Sequence, residues 1–546
     1  MQVRRLAAWA AVPLVATLGL AACGSGDDGG SGDSNPNATV SIQIGEPQHL
    51  IPTNTTETSG NQVLSALFTP LVDYDAQNKP YEVQAESIQS TDNTTWTIKL
   101  KDGYTFHNGE KVTSDSYINA WNYGAYAPNG QGASYFFEKI AGYDDLQSTD
   151  PDGEEGPQKA PEPKAKTMSG LKKVDDSTFT VTLSAPYSEF KTMLGYNAFY
   201  PLPNAAFSAP GVIKDGFEDA IIGDGPFKIK GTWQHDAKVE VERYDAFPGE
   251  KPKVGGVEFR IYQQLTAAYA DVISDNLDVV PTIPTENLTS AASDLGDRFQ
   301  QSPASSFQFL AFPTFDPAYS KPEVRKAISE AIDRDEIIKS VFKDSQQSAR
   351  SFVSPVVAGY RDNTCGAACV FDPAKAKAEY TAAGGPAKIQ ISYNGDGGHK
   401  DWVDATCNQL KTNLGVDCVG AAEPKFADLL DKVEKKQPVG MFRLGWIMDY
   451  PSMENYLGPL YTTNGSSNYY GYSNPQFDSL VKEGVSAATP DEAIKKYQAA
   501  EDILANDLPV IPLRFGQNNF GYSSKVKNVE IDLFQRVNLT KIEAVS

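Results

Sequence analysis

The sequence predicts an α/β fold. Short segments in which apolar and polar residues alternate recur along its 546 residues, stretches of helical period lie between them, and 40% hydrophobic with 11% aromatic residues is ample for large cores. The first strand is expected at residues 39–44 (TVSIQI), followed by others at 96–100, 179–183, 238–242, 257–261 and 388–392. The length suits two or three domains, and no internal repeat is visible.

The strongest helix is predicted from Ser320, where Ser320 and Glu323 have capping-box spacing and Val324, Ala327, Ile328, Ala331 and Ile332 form one apolar stripe. Residues 374–383 form a second, stopped by Gly384 and Gly385, and 402–414 a third that ends at Gly415. Residues 63–68 and 493–508 complete the helices considered. From Tyr143 to Lys166 the chain is rich in Pro, Gly and charge and nearly free of apolar residues, so it cannot offset its ordering entropy by burial and is expected as a solvated surface loop.

The N-terminus reads as a lipoprotein signal, with Arg4 and Arg5 ahead of an apolar run from Leu6 to Leu20 and small residues before Cys23. That run of about 15 residues is shorter than a transmembrane helix. Cleavage at residues 1–22 would leave Cys23 to carry more than one acyl chain, which anchors stably, on the extracytoplasmic face of the cell membrane. Residues 23–37 are expected as a flexible Gly/Ser/Asp linker with a reach of about 20 Å.

With 70 acidic against 48 basic residues, the formal net charge is -22. Such a surface repels phosphate backbones and anionic lipid, so nucleic acid is excluded as a partner. After Cys23 four cysteines remain, an even number in an oxidising compartment, which argues for disulfides. Three connectivities are open, and the local pairs Cys365–Cys369 and Cys407–Cys418 are favoured because turn-prone residues separate them. Zinc is disfavoured by the spacing. The sequence lacks phosphate-loop, zincin, nucleophile-elbow and dinucleotide motifs. His49, His107, His235 and His399 are isolated and read as surface or turn residues. Neither cofactor nor metal is expected, and no catalytic set emerges.

Four ordered segments resemble the extracellular solute-binding proteins of peptide ABC transporters, the family-5 group. They are residues 96–121 (WTIKLKDGYTFHNGEKVTSDSYINAW), residues 223–247 with their GDGPF turn, residues 325–338 (RKAISEAIDRDEII) and residues 445–461 (GWIMDYPSMENYLGPLY), in which Met453 stands where the family pattern has a second proline. The resemblance implies a two-lobed, periplasmic-binding-protein-like fold of class II with an extra inserted domain. On it, residues 38–69, 209–300 and 509–546 form lobe I, 70–208 the extra domain and 301–508 lobe II.

The same resemblance implies a monomeric, non-enzymatic receptor that closes on a peptide and presents it to permease subunits. By analogy with oligopeptide binders, Asp449 pairs with the ligand amine, with Trp446 and Tyr450 beside it. Glu57, Thr58 and Ser59 belong to a loop that pairs its backbone with peptide, and Arg443 and Arg514 are candidates for the ligand carboxylate. Tyr123, Tyr126 and Tyr135 are further cleft candidates. The alternatives are another small ligand on the same fold (a nickel chelate, a sugar or an opine-like compound) or a secreted envelope enzyme. Cys23→Ala should leave the precursor unlipidated and uncleaved at this site; wild-type protein found wholly in the medium with an unmodified N-terminus would refute the anchor.

Overall fold

A computed structural model describes residues 34–75, 77–151, 159–395, 398–424 and 426–545. Cys23 and the linker up to Asp33 lie outside the described residues. One mixed sheet of eleven strands runs through the molecule. On one side, Phe227–Ile229, Lys238–Arg243, Gly256–Ile261, Thr39–Ile44 and Val279–Val280 follow in order; on the other, Met441–Trp446, Lys388–Asn394 and Asp417–Glu423.

The halves are joined by two antiparallel strands of 13 residues, Phe299–Ala311 and Val510–Tyr522. Their outer ends belong to different halves, since Tyr522 and Gly521 pair with Val279–Val280 whereas Phe307–Ala311 pair with Met441–Trp446. Between Pro303 and Phe307 the register shifts, so the ladder is interrupted where the chain passes from one lobe to the other. Proline supplies no ladder N–H, which suits that position.

Thr95–Leu100 alternates strictly, with Trp96, Ile98 and Leu100 buried. It belongs to a separate four-stranded sheet with Ala85–Gln89, Thr178–Thr182 and Leu171–Lys173, which lies within residues 70–208. The aromatic core of that domain, around Trp121, Phe137, Phe179 and Phe199, is continuous with Val40, Ile42 and Phe259 of the first lobe. The second lobe buries both faces of its sheet half: Phe309, Phe442 and Leu444 on one side, Leu310, Ile391 and Met441 on the other. Near-continuous burial follows, as in parallel sheets covered twice.

The helices Pro373–Ala383 and Lys400–Leu414 end at Gly384 and Gly415, both left-handed, as their glycines predict. The helix expected from Ser320 starts later, at Pro322–Glu330 with Lys321 as N-cap, because proline takes the first helical position. The Ser320 hydroxyl donates to the Pro317 carbonyl instead. The surface loop also needs correction, since Tyr143–Leu146 forms a short 3-10 helix that buries Leu146. Residues 34–37 are not free linker. Ser34 bridges Val545, the Asn35 N–H donates to the Ala544 carbonyl at 2.9 Å, and Arg243 Nη1 donates to the Pro36 carbonyl at 2.8 Å.

Both favoured disulfides are present: Cys365–Cys369 and Cys407–Cys418, with Cα atoms 5.6 and 5.0 Å apart. The second ties the helix Lys400–Leu414 to the strand Asp417–Glu423. Denatured, unreduced protein should therefore show no free thiol at these four positions. Replacing Cys407 and Cys418 by Ala should cost about 2–3 kcal/mol by the loop-entropy relation, read from denaturant unfolding of the full chain.

Candidate functional site

Two regions of the cleft carry charge. In the first, the antiparallel ladder sets Gln308 opposite both Gly445 and Arg514, and Arg443 lies two residues from Gly445 on the same strand face. The two arginines thus converge on a cavity of about 210 Å³, with Gln308, Gln517, Asn518, Asn519 and Gln535 among its walls. Arg443 donates to Asn394 Oδ1 at 3.0 Å and Gln308 Oε1 at 3.2 Å, and lies over the Phe426 ring.

Arg514 is 6% exposed, its guanidinium sits 4.4 Å from the Phe342 ring and 5.1 Å from that of Trp402, and its Nε has no hydrogen-bond partner. Burial, then the Arg443 charge, lowers its pKa to about 9. No acidic side chain lines this cavity among the described residues. His399, read from sequence as a turn residue, belongs here too. Its Nδ1 accepts from Trp402 Nε1 at 3.1 Å, and burial followed by the two arginine charges pushes its pKa down to about 2, so it is neutral.

The second region is a narrow cavity lined by Asp449, Asn61, Tyr74, Tyr196 and Arg536. Asn455, wholly buried on the helix Glu454–Tyr461, fixes the carboxylate. Its Nδ2 donates to Asp449 Oδ2 at 2.9 Å while its Oδ1 accepts from the Asp449 N–H at 2.8 Å and from Trp446 Nε1 at 3.2 Å. Sequence reasoning missed Asn455, although its place six residues after Asp449 was the available signal. Arg536 is engaged by Asp532 at 2.8 Å. Without a cation of its own, Asp449 has its pKa raised to about 7, first by desolvation and then by the Glu454 charge, against hydrogen bonds from Asn455 and Tyr196. Gly195 lets the Tyr74 ring lie against the backbone, since a Cβ there would collide with that ring.

Four expected site residues are corrected. Glu57 is the N-cap of the helix Thr58–Leu67, its carboxylate accepting from Ser59 N at 2.7 Å and Gly60 N at 2.8 Å. Thr58 and Ser59 are therefore in the first turn of that helix, and of the three only Glu57 keeps extended backbone. Tyr450 is buried and donates to Glu454 rather than facing the cleft. Of the three further tyrosines, Tyr135 lies near enough to feel the Asp449 charge, whereas Tyr123 packs on Phe207 and Tyr126 donates to Glu162.

Charged walls in a cleft between two lobes joined by crossing strands define a two-lobed solute-binding protein. Residues 79–468 match the bacterial extracellular solute-binding proteins, family 5 Middle, and the chain belongs to that family. The oligopeptide-binding protein OppA of Bacillus subtilis (strain 168) is 26% identical over 543 residues, covering 94% of this chain and 95% of the relative. The fold matches the murein tripeptide binding protein MppA of Escherichia coli at a TM-score of 0.80 and 22% identity, over 94% of this chain and 99% of that one. It also matches Haemophilus influenzae OppA in complex with RPPGFSPFR at a TM-score of 0.77 and 20% identity, over 94% of this chain and 100% of that one.

Because burial raises the Asp449 pKa from 3.8 to about 7, the native chain holds a proton that the unfolded chain releases. Stability at this site is therefore lost as pH rises between those values. Asp449→Asn should remove that loss and stabilise the unliganded protein at about pH 8 by about 1–3 kcal/mol relative to wild type. Denaturant melts near both ends of the range provide the check, and an unchanged pH profile would show that the carboxyl titrates normally.

Proposed function

We propose that the protein captures peptides between its lobes and hands them to the permease of an ABC importer, acting as a monomer tethered through lipid on Cys23 outside the cytoplasmic membrane. It makes and breaks no bonds and uses no cofactor. The observation that carries this reading is Arg514, a buried cation stacked between two rings with an unsatisfied Nε and no carboxylate in its cavity. A buried charge left unpaired is costly, so the site is built for an anion brought from outside. A peptide's terminal carboxylate fits, with Arg443 beside it, and the surrounding carboxamides suit its backbone groups.

Asp449 supplies the complementary end. A desolvated carboxylate among Tyr74, Tyr135 and Tyr196 suits an ammonium, which gains both an ion pair and ring faces. Trp446 shares Asn455 with Asp449 and extends that wall. The family and the peptide-binding relatives support peptides over the other small ligands. Closure follows from the ligand touching both lobes and so favouring the form in which they meet.

Asp449→Ala should weaken peptide binding by roughly two to four orders of magnitude, the usual cost of stranding one member of a buried pair. N-acetylation of the peptide should weaken binding to wild type comparably and have little further effect on the variant. Calorimetry on the four combinations gives the coupling. Equal binding of free and acetylated peptide to wild type removes Asp449 as the amine site, and mass spectrometry that finds only non-peptide ligand on protein from the native host overturns the peptide reading.

A further inference from the structure

The extra domain and the second lobe meet in a buried polar cluster that neither ligand role uses. From the extra domain come Lys139, Tyr187 and Glu189; from the second lobe Tyr450, Ser452, Glu454 and Tyr497. Lys139 Nζ lies 3.5 Å from Glu454 Oε1 and 5.1 Å from the centre of the Tyr187 ring. The Tyr187 hydroxyl is 3.3 Å from Glu454 Oε2, which also accepts from Tyr450, and Tyr497 donates to Glu189 Oε2 at 3.1 Å. All of these tyrosines are nearly inaccessible, as are both carboxylates. At the rim, Asn93 Nδ2 donates to the Ala488 carbonyl at 3.0 Å and Asn78 Nδ2 to the Val356 carbonyl at 2.7 Å.

These groups lose water only because two bodies that share few connecting strands touch here. A paired polar interface of this kind is close to balanced between desolvation and attraction, whereas an apolar one of the same size would favour contact strongly. The cluster is also joined to the ligand wall. Glu454 and Asn455 are consecutive in the first turn of one helix, the former holding the extra domain and the latter holding Asp449.

We propose that Lys139, Tyr187 and Glu189 with Tyr450, Glu454 and Tyr497 form a latch that sets the equilibrium between open and closed lobes, so that these positioning residues tune ligand affinity without touching ligand. The latch goes beyond the peptide reading and needs only the two-lobed fold. It also couples closure to protons. The groups facing Glu189 and Glu454 are Lys139, the exposed Glu138 on Lys139, Ser452, the three tyrosines and, on the Glu454 side, Asp449, so the buried carboxyl groups share one ammonium. Burial, together with the Glu454 charge, raises the Glu189 pKa to about 7. Opening rehydrates Glu189 and returns it toward 4.5, so the closed form holds the extra proton and closure weakens as pH rises between those two values.

The test is hydrogen–deuterium exchange on the unliganded full chain, read at the peptides that contain Tyr187–Glu189 and Tyr450–Glu454, together with peptide dissociation rates. Lys139→Met should speed exchange on both sides of the contact and raise the dissociation rate by about tenfold or more, since it strands Glu454. Adding Glu454→Gln to Lys139→Met should restore most of both, because the stranded charge is gone. Glu189→Gln should slow exchange at about pH 8 and flatten its pH dependence. Variants that fold, whatever their melting temperature, yet leave exchange at the contact and the dissociation rate as in wild type would make this a static interface and overturn the latch. Exchange in the unliganded chain does not involve peptide, so its result stands apart from that of the peptide reading.

Discussion

Everything in this molecule depends on two strands. Phe299–Ala311 and Val510–Tyr522 pair with each other along their length, yet each end of the pair is stitched into a different half of the sheet. Backbone hydrogen bonds hold each half rigidly. The register shifts between Pro303 and Phe307, where the lobes part, and again between Gln308 and Phe309, so bending is cheapest across this stretch. The same strands also carry the chemistry, since Arg514 and Gln308 sit just beyond the first shift on the second-lobe side. A ligand at Arg514 therefore lies next to the element that flexes.

The charge arrangement follows from the packing on each side of that sheet. Phe342 and Trp402 cover the Arg514 guanidinium, and Trp402 in turn donates to His399, which burial and the two arginine charges keep neutral. Asp449 is held by the Asn455 carboxamide, and desolvation is the largest influence on its carboxyl. The first cavity presents two arginines and no carboxylate among the described residues, whereas the second sets Asp449 near an Arg536 already engaged by Asp532.

Much of this was legible in the residues. Period-two alternation located six strands because each has one face in a core, and Gly384 and Gly415 located helix ends because only a left-handed residue closes those turns. Local rules failed where a competing local group won: Pro322 displaced Ser320 from its cap, and the Glu57 carboxylate turned an expected extended loop into a helix start. They also failed where the partner is distant in sequence. Nothing near Tyr450 reveals Tyr187, and the sequence around His399 carries no trace of Arg443 or Arg514. Positions whose role is set across the cleft can be proposed from a motif but assigned only in three dimensions.

The bridge between Ser34 and Val545 has a mechanical meaning. A load applied at Ser34 would enter beside Val545, through the contacts of residues 34–36 with Ala544 and Arg243. Seen from Ser34, the strand Thr39–Ile44 would be the fixed side of any lobe movement and the arginine wall the moving one.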